Sequence, residues 1–133
     1  MKITEIEGIG PVNAAKLAEA GVTTTAGLLK AAADRKGREK LSQETGVSTK
    51  VILAWANRAD LMRIKGVGEE YSDLLEAAGV DTVKELATRN PGNLHKAMLE
   101  TNAAKKLVRR DPSLAEVEAW VREAKTLPAV LSY

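Results

Sequence analysis

Apolar residues recur along this chain three and four positions apart, the spacing of helix faces, and no stretch alternates long enough to make a strand. Ala14, Leu17, Ala18 and Gly21 share one face of a predicted helix from Pro11 to Ala20. Pro11 suits its first turn, where a missing N–H costs nothing, and Gly21 supplies a left-handed cap. A short helix follows Thr24 through Leu28 and Leu29, and Asp34 to Thr45 reads as a third, ended by Gly46. Ser48 caps a longer helix from Thr49 to about Met62, whose inward face is Ile52, Trp55, Ala56, Ala59 and Met62.

The second half repeats that order. Tyr71, Leu74, Leu75 and Ala78 form the buried face of a helix closed by Gly79, and Thr82 and Glu85 have capping-box spacing for the next. Asn90-Pro91 opens a helix with Leu94 and Met98 inside and Leu99 beside them. Ser113 and Glu116 make a second capping box, and the helix behind them buries Leu114, Val117, Trp120, Val121 and Ala124 until Pro128 stops it. The tail Ala129–Tyr133 is apolar and belongs to no element; packing back on the domain and docking on a partner are both open.

Two glycine turns head the two halves: Ile6-Glu7-Gly8-Ile9-Gly10-Pro11 and Ile64-Lys65-Gly66-Val67-Gly68-Glu69. They lie 58 residues apart, and the register persists from Leu17 with Leu75 through Gly21 with Gly79 and Val22 with Val80 to Leu28 with Leu86. Trp120 follows Trp55 by 65 residues, so the second half carries about seven extra, placed near Asn102 to Asp111 as a loop or short helix. The expectation is an all-α protein: one domain over 1–133, built from repeats 1–62 and 63–133 that share a core, since about 60 residues alone make a marginal domain.

Composition narrows the functional classes. Phe is absent and aromatics make up 3% of the chain, so the core relies on Leu, Val, Ile and Ala. Cys is absent, which removes disulfides, thiol nucleophiles and cysteine metal sites. No apolar run approaches the ~18 residues of a membrane span, and Glu5 and Glu7 interrupt any signal-peptide core, so the reading is soluble and cytoplasmic. The net charge of +2 is low for a dedicated nucleic-acid protein, and the runs Arg35-Lys36-Gly37-Arg38, Lys105-Lys106 and Arg109-Arg110 read as solvated helix faces.

Ile6, Gly8, Ile9, Gly10, Ala14 and Leu17 resemble the helix-hairpin-helix family pattern, and Ile64, Gly66, Val67, Gly68, Ser72 and Leu75 match it less closely. With the two Trp-bearing helices, nearly the whole chain is similar to a bacterial family of paired helix-hairpin-helix domains with no assigned activity. That resemblance implies two repeats packed as one pseudo-symmetric helical domain of the SAM-like, helix-hairpin-helix architecture. In DNA-binding relatives the hairpin amides hold a phosphate oxygen and the following helix adds its dipole. Carried onto this chain, the donors are the amides around Gly8, Ile9 and Gly10 and around Gly66, Val67 and Gly68, with the Ile9 and Val67 side chains in the core. Lys16 and Lys2 would support the first turn, and Lys65 and Arg63 the second. Glu69 and Glu70 stand where a phosphate would approach the second turn, which favours a structural role there.

Other candidates carry less. His95 has no companion ligands at metal spacing and reads as a helix-surface residue; Trp55 and Trp120 read as core anchors rather than base-stacking platforms. Asp60 and Arg63 are spaced for a modest helix pair. No P-loop, paired-carboxylate or serine-triad pattern is present, so a non-enzymatic, cofactor-free protein is expected. Two functions remain: a module that contacts the backbone of double-stranded DNA without strong sequence preference, or a scaffold that binds another protein or itself. Oligomeric state is open.

Overall fold

The computed structural model describes residues 2–6 and 8–133; Glu7, in the first predicted turn, lies outside them. Among the described residues there are eight α-helices and no strand: α1 (Pro11–Glu19), α2 (Thr25–Ala31), α3 (Arg35–Thr45), α4 (Thr49–Leu61), α5 (Glu69–Ala77), α6 (Val83–Ala87), α7 (Pro91–Lys105) and α8 (Leu114–Ala124). A 3-10 turn over Ile3–Glu5 precedes α1, and a lone antiparallel bridge joins Lys2 to Thr24. No helix among the described residues is long and apolar enough to cross a membrane.

Local chemistry accounts for the helix ends. Thr24, Asp34, Thr82, Asn90 and Ser113 each accept a hydrogen bond from the backbone N–H three residues on, relieving one of the unpaired first-turn amides. Ser113 and Glu116 form the full reciprocal capping box. Thr82 and Glu85 form half of one, because the Glu85 carboxylate instead takes Arg89 Nε at 3.0 Å. Helices α1 and α5 end alike. Gly21 and Gly79 adopt φ of 85° and 98°, and the amides of Val22 and Val80 reach back to the carbonyls of Leu17 and Leu75, each at 2.8 Å.

The chain divides into two compact units, Met1–Asp60 with Ala129–Tyr133, and Leu61–Pro128. In the first, Ile3, Ile6, Leu17, Leu28, Ile52 and Trp55 are buried. In the second, Ile64, Leu74, Leu75, Leu86, Met98 and Trp120 are among the core, with Tyr71 and Ala78 partly buried against it. Positions 58 residues apart share their burial: Ile6 and Ile64, Leu17 and Leu75, and Leu28 and Leu86 are all closed to solvent.

Two expectations change, and the position of the tail, left open by the sequence, is added to them. Leu114, placed inside by periodicity, is 43% exposed, because it is the first residue of α8 and the buried stripe starts at Val117. Arg38, read as part of a solvated face, is 4% exposed and turned inward. The tail packs back on the first unit: Ser132 N–H donates to Ala33 O at 2.8 Å, Arg38 Nη2 to Ser132 O at 2.8 Å, and Tyr133 O–H to Asn57 Oδ1 at 3.2 Å.

Candidate nucleic-acid interface

In the first unit the turn before α1 is closed by Ile9 N–H donating to Ile6 O at 3.1 Å. Gly8 has φ of +90°, a region L side chains rarely occupy, and the Trp55 Nε1 lies 3.6 Å from where its Cβ would stand. Gly8 and Gly10 are exposed, and the Ile9 side chain is buried. Gly10 is the N-cap of α1, in extended conformation, and nothing lies within 4 Å of an added Cβ. No side chain caps this helix, and Pro11 at its first position contributes no N–H. The Val12 and Asn13 amides therefore head α1 without intrahelical acceptors, at the positive end of its dipole. Val12 is 69% exposed, and Lys16, four residues on, is exposed on the same stripe of the helix. Lys2 is exposed as well, its amide held by Glu5 Oε2 at 3.0 Å.

The second turn is built the same way and then elaborated. Val67 N–H donates to Ile64 O at 3.0 Å, Gly66 has φ of +90°, and Trp120 Nε1 lies 3.3 Å from the position of its absent Cβ. Gly68 is the extended N-cap of α5, again with no side-chain cap. Lys65 is exposed, but its amide is taken by Glu123 Oε1 at 3.0 Å. Glu70 accepts from the Arg109 amide at 3.0 Å and from Arg109 Nη2 at 2.9 Å, and these bonds to Arg109 hold its carboxyl below the usual carboxylate range. Tyr71 O–H donates to Arg110 O at 3.0 Å, and its ring tilts against Trp120 at 5.1 Å between centroids. Burial, chiefly, pushes the Tyr71 phenol up.

The residues between α7 and α8 thus form a strap against the start of α5. Asn102 brackets it, donating to Val108 O at 3.2 Å and Asp111 Oδ1 at 2.7 Å while accepting from Val108 N–H at 2.9 Å. Arg110 forks onto Glu116 at 3.0 and 2.9 Å, which with Ser113 holds the Glu116 pKa down at about 2. His95 is half-buried, its Nε2 2.9 Å from Pro112 O at the foot of the strap. An open groove of about 570 Å³ remains between strap and helix, lined by Gly68, Glu69, Glu70, Tyr71, Arg109 and Arg110.

The site residues read from sequence therefore divide. Gly8, Gly10 and Lys16 lie exposed around one helix start in the first unit; Gly66, Gly68 and Lys65 belong to the turn of the second. The Ile9 and Val67 amides close their own turns and are not available as donors. Sequence reasoning missed the strap's hold on Glu70; the extra residues before Trp120 were its only trace. No group of three or more potential metal ligands occurs among the described residues.

No solved structure matches the chain. With its all-α fold and a family match that spans residues 7–127, from the first glycine turn to just beyond α8, the chain belongs to the family described as a domain of unknown function (DUF4332).

Proposed function

We propose that this protein is a non-enzymatic, cytoplasmic helix-hairpin-helix module, built from two repeats, that contacts the phosphate backbone of duplex DNA through its first glycine turn without strong sequence preference. One observation carries the reading: α1 begins behind an exposed glycine with no side-chain cap and open space around it, so its leading amides and dipole are free to meet an anion. Exposed Lys16 and Lys2 supply positive charge of the kind that dominates backbone affinity. The second turn has a structural role in this reading, since Glu69 and the strap-bound Glu70 head its helix. Its Trp-backed, positive-φ geometry repeats that of the first turn and supports a duplicated origin for the two.

The test is a fluorescence-anisotropy titration of a blunt duplex at two salt concentrations. Contact with two or three phosphates makes binding about ten- to fortyfold weaker between about 50 and about 200 mM salt. Gly10→Asp places a carboxylate at a position whose backbone suits a cap, so the variant folds while repelling phosphate. It should lose the binding, whereas Gly68→Asp should retain it. Absence of salt-dependent binding, or wild-type affinity in Gly10→Asp, would refute the proposal.

A further inference from the structure

We infer that Trp55 is a binding residue of the first turn: its indole N–H donates to the phosphate oxygen held there, an assignment that rests on the phosphate reading of that turn.

Trp55 is only 4% exposed. A buried indole N–H ordinarily finds an acceptor, because an unpaired buried donor is costly. Trp55 Nε1 makes no hydrogen bond among the described residues, and the atom keeps a small opening to solvent. Its neighbour shows where that opening lies. Nε1 is 3.6 Å from the point where a Gly8 Cβ would stand, and Gly8 is exposed. A side chain at position 8 would stand against the N–H, whereas glycine leaves it uncovered. Gly8 thus serves twice: it permits φ of +90°, and it opens a window onto a donor whose ring is buried.

The chemistry of that window selects the ligand. An indole N–H donates and has no acceptor capacity, so its partner must offer a lone pair. Two residues along the chain, Gly10 starts α1 with no side-chain cap, so the leading amides of that helix are donors as well. Exposed Lys2 and Lys16 add positive charge. An anionic group with several acceptor oxygens answers all of these, and a phosphate is such a group. Because the indole is buried, its donor is in place before the ligand arrives.

The second unit has the same window with different charge at the helix start. Trp120 is 3% exposed, its Nε1 also makes no hydrogen bond among the described residues, and it lies 3.3 Å from the absent Gly66 Cβ. There, however, Glu69 and Glu70 are the first two residues of α5 and oppose an anion. The two indoles therefore form an internal comparison within one molecule.

The experiment is ¹H–¹⁵N NMR of the full chain labelled at the indole nitrogens, which gives one signal for each of the two tryptophans. Trp55→Phe and Trp120→Phe each remove one signal and assign the pair. A blunt duplex lacking terminal phosphates and, separately, inorganic phosphate are titrated in at constant ionic strength. The Trp55 signal should move downfield and saturate with the duplex while that of Trp120 stays in place. Movement with inorganic phosphate as well makes the acceptor a phosphate of either source; movement with the duplex alone makes it the nucleic-acid backbone. Trp55→Phe should bind the duplex about tenfold more weakly. The wild-type shift decides even where Trp55→Phe fails to fold. A duplex that binds, and loses binding in Gly10→Asp, while the Trp55 signal stays put or moves no further than that of Trp120 overturns the role of Trp55 and leaves the turn's own reading standing. No duplex binding and no shift with either probe overturns both.

Discussion

Replacing Gly37 by alanine should destabilise the protein, against the usual sign for a helix. In an exposed helix interior, Gly→Ala ordinarily gains about 1 kcal/mol, because alanine has less backbone freedom to lose. Gly37 occupies the third position of α3, where its N–H donates to the capping Asp34 Oδ1 at 2.7 Å. An added Cβ would stand 2.3 Å from Ala31 O and 3.2 Å from Asp34 Oδ1. Ala31 O is backbone and cannot rotate aside, so merely escaping the clash at 3.0 Å requires about 0.7 Å of movement between α3 and the end of α2, and reaching an ordinary contact at 3.4 Å about 1.1 Å. Overpacking of that kind costs about 1–3 kcal/mol, and a disturbed cap about 1 more. Set against the propensity gain, the net loss is about 1–3 kcal/mol. Urea unfolding followed by the fluorescence of the two tryptophans measures it. Gly92→Ala is the matched control: it lies in the first turn of α7, and its nearest contact, Asn90 Oδ1 at 3.4 Å, is ordinary, so it should gain up to about 1 kcal/mol. A Gly37→Ala protein as stable as the wild type would refute the reasoning, because the steric term would then be absent.

Gly66→Ala and Gly8→Ala should each lose about 1–2 kcal/mol from the positive φ, with Gly66→Ala losing more, since its Cβ would meet Trp120 Nε1 at 3.3 Å where that of Gly8 meets Trp55 Nε1 at 3.6 Å; equal losses in thermal unfolding would contradict this. Glu116 has a folded pKa of about 2, depressed by Arg110 and Ser113, below an unfolded value near 4.5. Its stabilising contribution is therefore complete above pH ~4.5 and is lost as pH falls toward 2, so the wild-type Tm should drop over that window more steeply than that of Glu116→Gln, and parallel curves would count against it.

Helix order and most caps were legible in the sequence, because Thr24, Asp34, Asn90, Ser113, Gly21 and Gly46 act within one turn of themselves. The reach of long side chains was not. Arg38 looks like its neighbours Arg35 and Lys36 in a basic run; what turns it inward are the carbonyls of Ala32 and of Ser132, the latter 94 residues away. Glu85 has the spacing of a capping partner, yet Arg89 on the next turn competes for its carboxylate and wins. The candidate turn could be found from Gly8 and Gly10 alone. That the equivalent second turn has its acid engaged by Arg109 depends on a pairing 39 residues apart, which no local pattern encodes.

The docking of Ala129–Tyr133 beside Ala33, Arg38 and Asn57 has a consequence for assembly order. Leu61–Pro128 is one uninterrupted stretch, so all of its residues are present once Pro128 has been translated. The first unit is not. Its leading sixty residues are translated early but wait for five that are translated after Pro128, with the Arg38 guanidinium lacking one of its two carbonyls in the meantime. Deleting Ala129–Tyr133 therefore strikes first at the sixty residues that precede Leu61, translated well before the segment they depend on.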